Sequence, residues 1–124
     1  MSTTYPTNPV VLVVEDEPLL RLVAVDFIED AGFAAVTATN TDEAVAILES
    51  RTDIRIVFTD IDMPGSMDGL KLAECIRNRW PPIELIVTSG KRRLQPNSLP
   101  ARGLYFPKPY NPSDIVQAMH GFIH

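Results

Sequence analysis

The stretch Ile56-Val57-Phe58-Thr59-Asp60-Ile61-Asp62-Met63-Pro64-Gly65 is a short apolar run that stops at two carboxylates and then at a Pro-Gly breaker. A run of this length, rich in β-branched and aromatic residues, predicts a buried strand that delivers Asp60 to its own C-terminal edge. In open α/β sheets ligands bind outside the carboxyl ends of the strands, so an acid placed there is a candidate for chemistry. Acids in that position also cap the turn or helix that follows, and this stretch alone leaves both readings open.

Upstream, residues 10–14 are five apolar residues, four of them β-branched, and they end at Glu15-Asp16-Glu17. That is the pattern of a strand buried on both faces of a parallel sheet. Pro18 suits a first helical turn, and Leu19, Leu20, Val23, Phe27 and Ile28 recur at helical spacing as the expected core face until Gly32 stops the helix. Residues 33–38 predict a second strand, and Asn40-Thr41-Asp42-Glu43 can cap a helix that buries Ala44, Val45, Ile47 and Leu48. The third strand runs over 54–59. Beyond Pro64-Gly65, Asp68 can cap a helix with Leu72, Ala73 and Ile76 on its core side, closed by Trp80-Pro81-Pro82.

Residues 83–88 and 104–106 predict the fourth and fifth strands, and a last helix begins at Asn111-Pro112-Ser113 and presents Ile115, Val116, Met119, Phe122 and Ile123. Strand and helix alternating on short loops predict an α/β fold, a doubly wound five-stranded parallel sheet with helices on both faces. One interval breaks the pattern. A fourth helix is due between Ser89 and Gly103, yet Gly90, Pro96 and Pro100 fall there, and an interior helical proline costs about 3 kcal/mol. The expectation is a mobile loop with at most a fragment of helix.

The totals narrow the function classes. With 124 residues, 45% hydrophobic and 22% charged, the chain predicts one domain over 10–124 behind a loose tail, 1–9, that carries two prolines. A net charge of -5 argues against nucleic-acid binding, and Lys91-Arg92-Arg93 reads as a solvated loop. The single Cys75 excludes an internal disulfide and fits a reducing cytosol, more as a core residue than as a nucleophile. His120 and His124 share a helix face, but a metal site needs further ligands than the sequence places near them. No apolar stretch approaches the roughly 20 residues that span a bilayer, so the expectation is a cytoplasmic protein with no membrane and no DNA partner.

Laid side by side in a parallel sheet, the polar strand ends fall on one edge: Glu15 and Asp16, then Asp60, then Thr88 and Ser89, then Lys108. Two unit charges about 4 Å apart repel by roughly 4 kcal/mol at an effective dielectric of 20, so either protons or a cation must sit among the three acids. Hard carboxylate oxygens suit Mg²⁺ (or Mn²⁺), which needs only one or two protein carboxylates beside a phosphate. Asp60 would then be the nucleophile toward phosphorus, Lys108 a point charge on a phosphoryl oxygen, and Thr88 a hydroxyl donor, while small Ser89 and Gly90 leave room for a phosphodonor.

The ordered set Glu15-Asp16, Asp60, Thr88 and Lys108-Pro109 resembles the receiver domain of two-component response regulators, and the resemblance covers essentially 10–124. It implies a strand order of 2-1-3-4-5. It further implies Mg²⁺ on Glu15, Asp16, Asp60 and the main-chain carbonyl of Asp62, phosphorylation of Asp60 by a histidine kinase or from a phosphotransfer protein, Thr88 as the switch hydroxyl with Ser89 and Lys108 beside it in the phosphoryl-binding and switch set, a cis bond before Pro109, and Tyr105 as an aromatic that turns inward with the switch. Asp62 itself is left with a carboxylate near the donor's path, where it would tune removal of the phosphoryl group by water.

The segments Asp62-Met63-Pro64-Gly65-Ser66-Met67-Asp68-Gly69 and Phe106-Pro107-Lys108-Pro109-Tyr110 also resemble stand-alone alphaproteobacterial receivers, whose fourth helix is often reduced and whose kinases are of the HWE or HisKA2 type. Without an output domain in the sequence, signalling would pass by protein contact or by onward phosphotransfer. Two alternatives stand beside this. Asp60 and Asp62 also resemble the nucleophile and general acid of haloacid dehalogenase phosphatases, although there the metal-binding acids follow the lysine. A receiver-like binding module that is never phosphorylated is the other.

Overall fold

The computed structural model describes residues 8–62, 69–90 and 103–123. Within these, the element order is β1 (Val10–Val14), α1 (Pro18–Asp30), β2 (Ala34–Ala38), α2 (Thr41–Ser50), β3 (Ile54–Asp60), α3 (Gly69–Arg79), β4 (Glu84–Ser89), β5 (Gly103–Pro107) and α4 (Pro112–Ile123). The strands form one parallel sheet in the order β2-β1-β3-β4-β5, as the resemblance implies. The tail 1–7, the Pro64-Gly65 turn, Asp68, residues 91–102 with the expected irregular fourth helix, and His124 lie outside the described residues.

Both faces of the sheet are covered, which is why β1 is apolar at every position. Val10, Leu12 and Val14 meet Ala44 and Leu48 of α2 and Leu72, Ala73 and Ile76 of α3. Val11 and Val13 point the other way, to Ala24 and Ile28 of α1 and Ile115 and Met119 of α4. A register irregularity between Val10 and Val11, opposite Ile54 and Ile56, lets β3 gain one residue. Ile54 and Val57 thereby share the α2/α3 face, while Ile56 and Phe58 share the other.

Local chemistry sets the boundaries. Glu17 caps α1, its carboxylate accepting the Leu19 N–H at 3.0 Å, with Pro18 in the first turn. Gly32 follows at φ +97°, a left-handed position open to glycine. At α2, Asn40 Oδ1 accepts the Glu43 N–H at 2.8 Å and Glu43 reaches back to the Thr39 N–H at 2.7 Å. Beyond α3, the Arg77 guanidinium donates to the carbonyls of Pro81 and Ile83 and closes the Trp80-Pro81-Pro82 turn.

The expected core face of α1 needs correction. Ala24 and Ile28 are buried, but Leu19 is 65% exposed, and Leu20 and Val23 are also exposed. These side chains fall in the first two turns of α1, next to the Glu15-Asp16-Glu17 turn that leaves β1. Leu20 and Val23 instead border a groove of about 410 Å³ with Glu15, Lys108, Pro109, Tyr110 and Pro112.

One close approach fixes where α3 meets β3. A Cβ at Gly69 would overlap the Cα of Ile61 and lie 2.7 Å from its Cγ2, whereas one at Gly121 in α4 meets nothing within 4 Å. Gly69→Ala is therefore expected to lower the stability by about 1–3 kcal/mol, the usual range for overpacking, because backbone must move. Gly121→Ala should instead be neutral or stabilising by up to about 1 kcal/mol through helix propensity. Urea denaturation of the two variants beside the parent measures both, and equal effects would contradict the placement of Gly69.

Candidate functional site

The register carries the polar strand ends to one place. Val14 pairs with Thr59, so Glu15 follows beside Asp60, and Asp60 itself pairs with Thr88. Ser89 pairs with Pro107, and the Lys108 N–H continues the ladder onto the Ser89 carbonyl at 3.0 Å. Neighbouring strands lie about 4.8 Å apart, so Lys108, two strands from Asp60, must use its full side chain to reach it.

It does reach. Lys108 Nζ lies 2.7 Å from Asp60 Oδ2 and 3.8 Å from Glu15 Oε1. The other Asp60 oxygen accepts the Asp62 N–H at 2.9 Å, and Asp60 is only 6% exposed. Glu15 is held by the Glu17 N–H on its carboxylate at 3.2 Å and by Arg21, which donates to its main-chain carbonyl at 3.0 Å. One oxygen each of Glu15, Asp16 and Asp60 lie within 4.8 Å of one another, a grouping of hard donors of the kind that suits a small divalent cation.

The electrostatics follow from this packing. Burial pushes Glu15 up to about 6, against the Glu17 N–H and the charge of Lys108, which favour the anion. Lys108 does not offset that burial because its short contact is with Asp60. Burial alone would lower the Lys108 ammonium, yet its hydrogen bond to Asp60 and the charges of Asp60, Glu15 and Asp62 raise it.

Thr88 is 2% exposed at the end of β4, directly beside Asp60. Ser89 and Asp62 engage each other: the Ser89 hydroxyl lies 2.9 Å from both Asp62 carboxylate oxygens, and the Gly90 N–H donates to one of them at 2.9 Å. Asp60, Asp62, Asp16, Glu17, Gly90 and Lys108 together line a cleft of about 380 Å³. Tyr105 lies on β5 opposite Val87, half-buried, one step back from the site edge. The Lys108–Pro109 peptide is cis.

Two contributors escape a reading of polar strand ends. Tyr110, just past Pro109, packs edge-to-face on Phe27 and Phe58, with centroids at 6.1 and 5.6 Å, and borders a small cavity with Glu15, Asp60 and Thr88. Burial, with the charges of Glu15 and Asp60, pushes its phenol up to about 12, so it stays a neutral wall of the site. Arg21 is the other, because an arginine on a helix gives no sign that it will clamp the carbonyl of a preceding strand end. The run Lys108-Pro109-Tyr110 was the available signal for Tyr110. His120 meets the ring of Phe33 at 5.0 Å.

Comparison with known proteins agrees with this geometry. The response regulator receiver domain matches residues 11–120. The nitrogen assimilation regulatory protein NtrX of Azorhizobium caulinodans is 32% identical over 111 residues, which are 86% of this chain and 24% of that protein. The DNA-binding transcriptional regulator NtrC of Salmonella typhimurium is 34% identical over 110 residues, 86% of this chain and 23% of that protein. The chain thus spans about a quarter of the length of these relatives.

Among solved structures, the receiver domain of NtrX from Brucella abortus superposes with a TM-score of 0.81 at 28% identity, covering 91% of this chain and 97% of that one. A response regulator receiver protein from Sinorhizobium medicae does so with 0.86 at 25%, covering 94% of each. Neither alternative raised by the sequence, dehalogenase-type phosphatase or silent binding module, gains support. The matched span, the strand order and the acids, threonine and lysine gathered at one sheet edge agree, and the chain belongs to the receiver domain family of two-component response regulators.

Proposed function

We propose that this chain is the phosphoacceptor of a two-component relay and that Asp60 takes the phosphoryl group. The observation that carries the reading is the Lys108–Asp60 contact of 2.7 Å beside the cluster of Glu15, Asp16 and Asp60. Glu15, Asp16, Asp60 and the main-chain carbonyl of Asp62 would hold Mg²⁺ (or Mn²⁺). When bound, that ion neutralises the acids and the oxygens of the incoming phosphoryl group.

An Asp60 oxygen attacks phosphorus, the bond from phosphorus to the donor's nitrogen or acyl oxygen breaks, and the donor leaves with that electron pair. Lys108 and the Thr88 hydroxyl stabilise the charge on the remaining phosphoryl oxygens. The phosphodonor is a histidine kinase, of the HWE or HisKA2 type, or a phosphotransfer protein. Movement of Thr88 and Lys108 toward the new group, with Tyr105 repacking, shifts the domain to its signalling state. Moving that equilibrium from 1:99 to 99:1 takes about 5.5 kcal/mol, within reach of two charge-assisted contacts and a cation. The output is a contact with another protein or onward transfer of phosphate from a cytoplasmic domain. Among the described residues no helix is long and apolar enough to cross a membrane.

With acetyl phosphate and Mg²⁺, the parent chain should take up one phosphoryl group and Asp60→Asn none, measured by intact mass. Acid-labile phosphate on the variant would overturn the assignment. EDTA should stop the labelling, and unimpaired labelling in EDTA would remove Glu15 and Asp16 as metal ligands.

The metal-free protein carries a further signature. Glu15 rises from 4.5 to about 6, so its proton stabilises the folded state fully below about pH 4.5, and that contribution is lost as pH rises through 6. A shift of this size corresponds to roughly 2 kcal/mol of strain at pH 8. Glu15→Gln, which keeps an acceptor for the Glu17 N–H, should raise metal-free stability by about 1–2 kcal/mol at pH 8 and by nearly nothing at pH 4.5. Urea melts at both values check the sign; a loss of stability at pH 8 would contradict it.

A further inference from the structure

We propose that Ser89 is a positioning residue: it clasps the Asp62 carboxylate against the end of β4 and withholds it from the phosphoryl group, and so lengthens the life of phosphorylated Asp60. The inference rests on the reading of Asp60 as phosphoacceptor.

The clasp has three parts. The Asp62 N–H is committed to Asp60 Oδ1 at 2.9 Å, which places Asp62 at the mouth of the cleft. The Ile61 N–H bonds to the Thr88 carbonyl at 3.0 Å, extending the β3–β4 pairing one step past Asp60 and bringing Asp62 level with Ser89 and Gly90. There the Ser89 hydroxyl bridges both carboxylate oxygens at 2.9 Å, and the Gly90 N–H donates to the second at 2.9 Å. Ser89 is 1% exposed, so water competes poorly for its hydroxyl.

The other cleft acids already have work. Glu15, Asp16 and Asp60 form the cation cluster, and the Glu17 carboxylate caps α1. Asp62 is thus the lining carboxylate placed to meet a water that approaches phosphorus from the cleft. In hydrolysis the water oxygen bonds to phosphorus, the bond from phosphorus to the Asp60 oxygen breaks, and Asp60 leaves as a carboxylate. The water's proton passes to a base. An Asp62 carboxylate released from Ser89 can turn toward that proton, whereas one held by Ser89 and Gly90 is turned to the end of β4 and is a poorer acceptor for it.

The test uses the whole chain, phosphorylated with acetyl phosphate, freed of donor, and followed as acid-labile phosphate with time. Ser89→Ala should shorten the lifetime about five- to tenfold, a fraction of the roughly 10²–10⁴ that a fully positioned base supplies. In an Asp62→Asn background the same Ser89→Ala change should alter the lifetime by less than about twofold. An unchanged lifetime in Ser89→Ala, or an equal effect in both backgrounds, would overturn the proposal. A second readout needs no phosphate: in the unphosphorylated, metal-free protein the Gly90 amide should exchange several-fold faster in Ser89→Ala, and unaltered protection would show that Ser89 does not hold Asp62. If the parent took up no phosphoryl group, the reading of Asp60 would fail, while amide exchange would still decide whether the clasp exists.

Discussion

The contact between Lys108 Nζ and Asp60 Oδ2 is the constraint on which the rest of the site depends. Three acids converge at the carboxyl edge of β1 and β3, and without a cation their mutual repulsion would oppose the fold itself. Lys108 supplies one positive charge from two strands away, placed there by the pairing of β5 with β4 out to Ser89 and Pro107 and by the bond of its own N–H to the Ser89 carbonyl. Its single ammonium lies against Asp60 and leaves Glu15 at 3.8 Å, and burial raises the Glu15 carboxyl despite that charge. The site thus gathers three carboxylates against one ammonium, an excess of negative charge at a buried edge.

That balance is built on an apolar frame. Both faces of β1 and β3 are sealed by helices, so the ionic edge sits against a low-dielectric floor where Phe58 and Tyr110 pack edge-to-face. The α3 helix is drawn close by Gly69, whose missing side chain lets it lie against Ile61, the residue between the two site acids. Apolar packing at Ile61 thereby bears directly on the backbone that carries Asp60 and Asp62.

Much of this was legible in the sequence because it follows from periodicity. Apolar runs ending in Glu15, Asp60 and Thr88 mark parallel strands and the polar edge they share, and the cap at Asn40, Pro18 in the first turn of α1 and the stop at Gly32 lie where short-range chemistry puts them. The α1 face was misread for a physical reason. Leu19, Leu20 and Val23 have helical spacing, but spacing does not report which turns of a helix the rest of the fold leaves uncovered. The Asp62–Ser89 clasp was illegible as well, since it depends on register across 27 residues; Ser89 read as a small neighbour of the phosphodonor and a member of the phosphoryl-binding set, with no sign of Asp62 as its partner. Tyr110 and Arg21 show the same limit, a partner chosen by tertiary placement.

The central claim is that Asp60 is the atom-level acceptor, and chemical trapping tests it most directly. Borohydride reduces an acyl phosphate on aspartate to homoserine, so treating the acetyl phosphate-labelled, Mg²⁺-loaded chain and mapping its peptides locates the phosphoryl group. The account predicts homoserine at position 60 alone. Homoserine at 62 or 16, or labelled protein with none at 60, would contradict it.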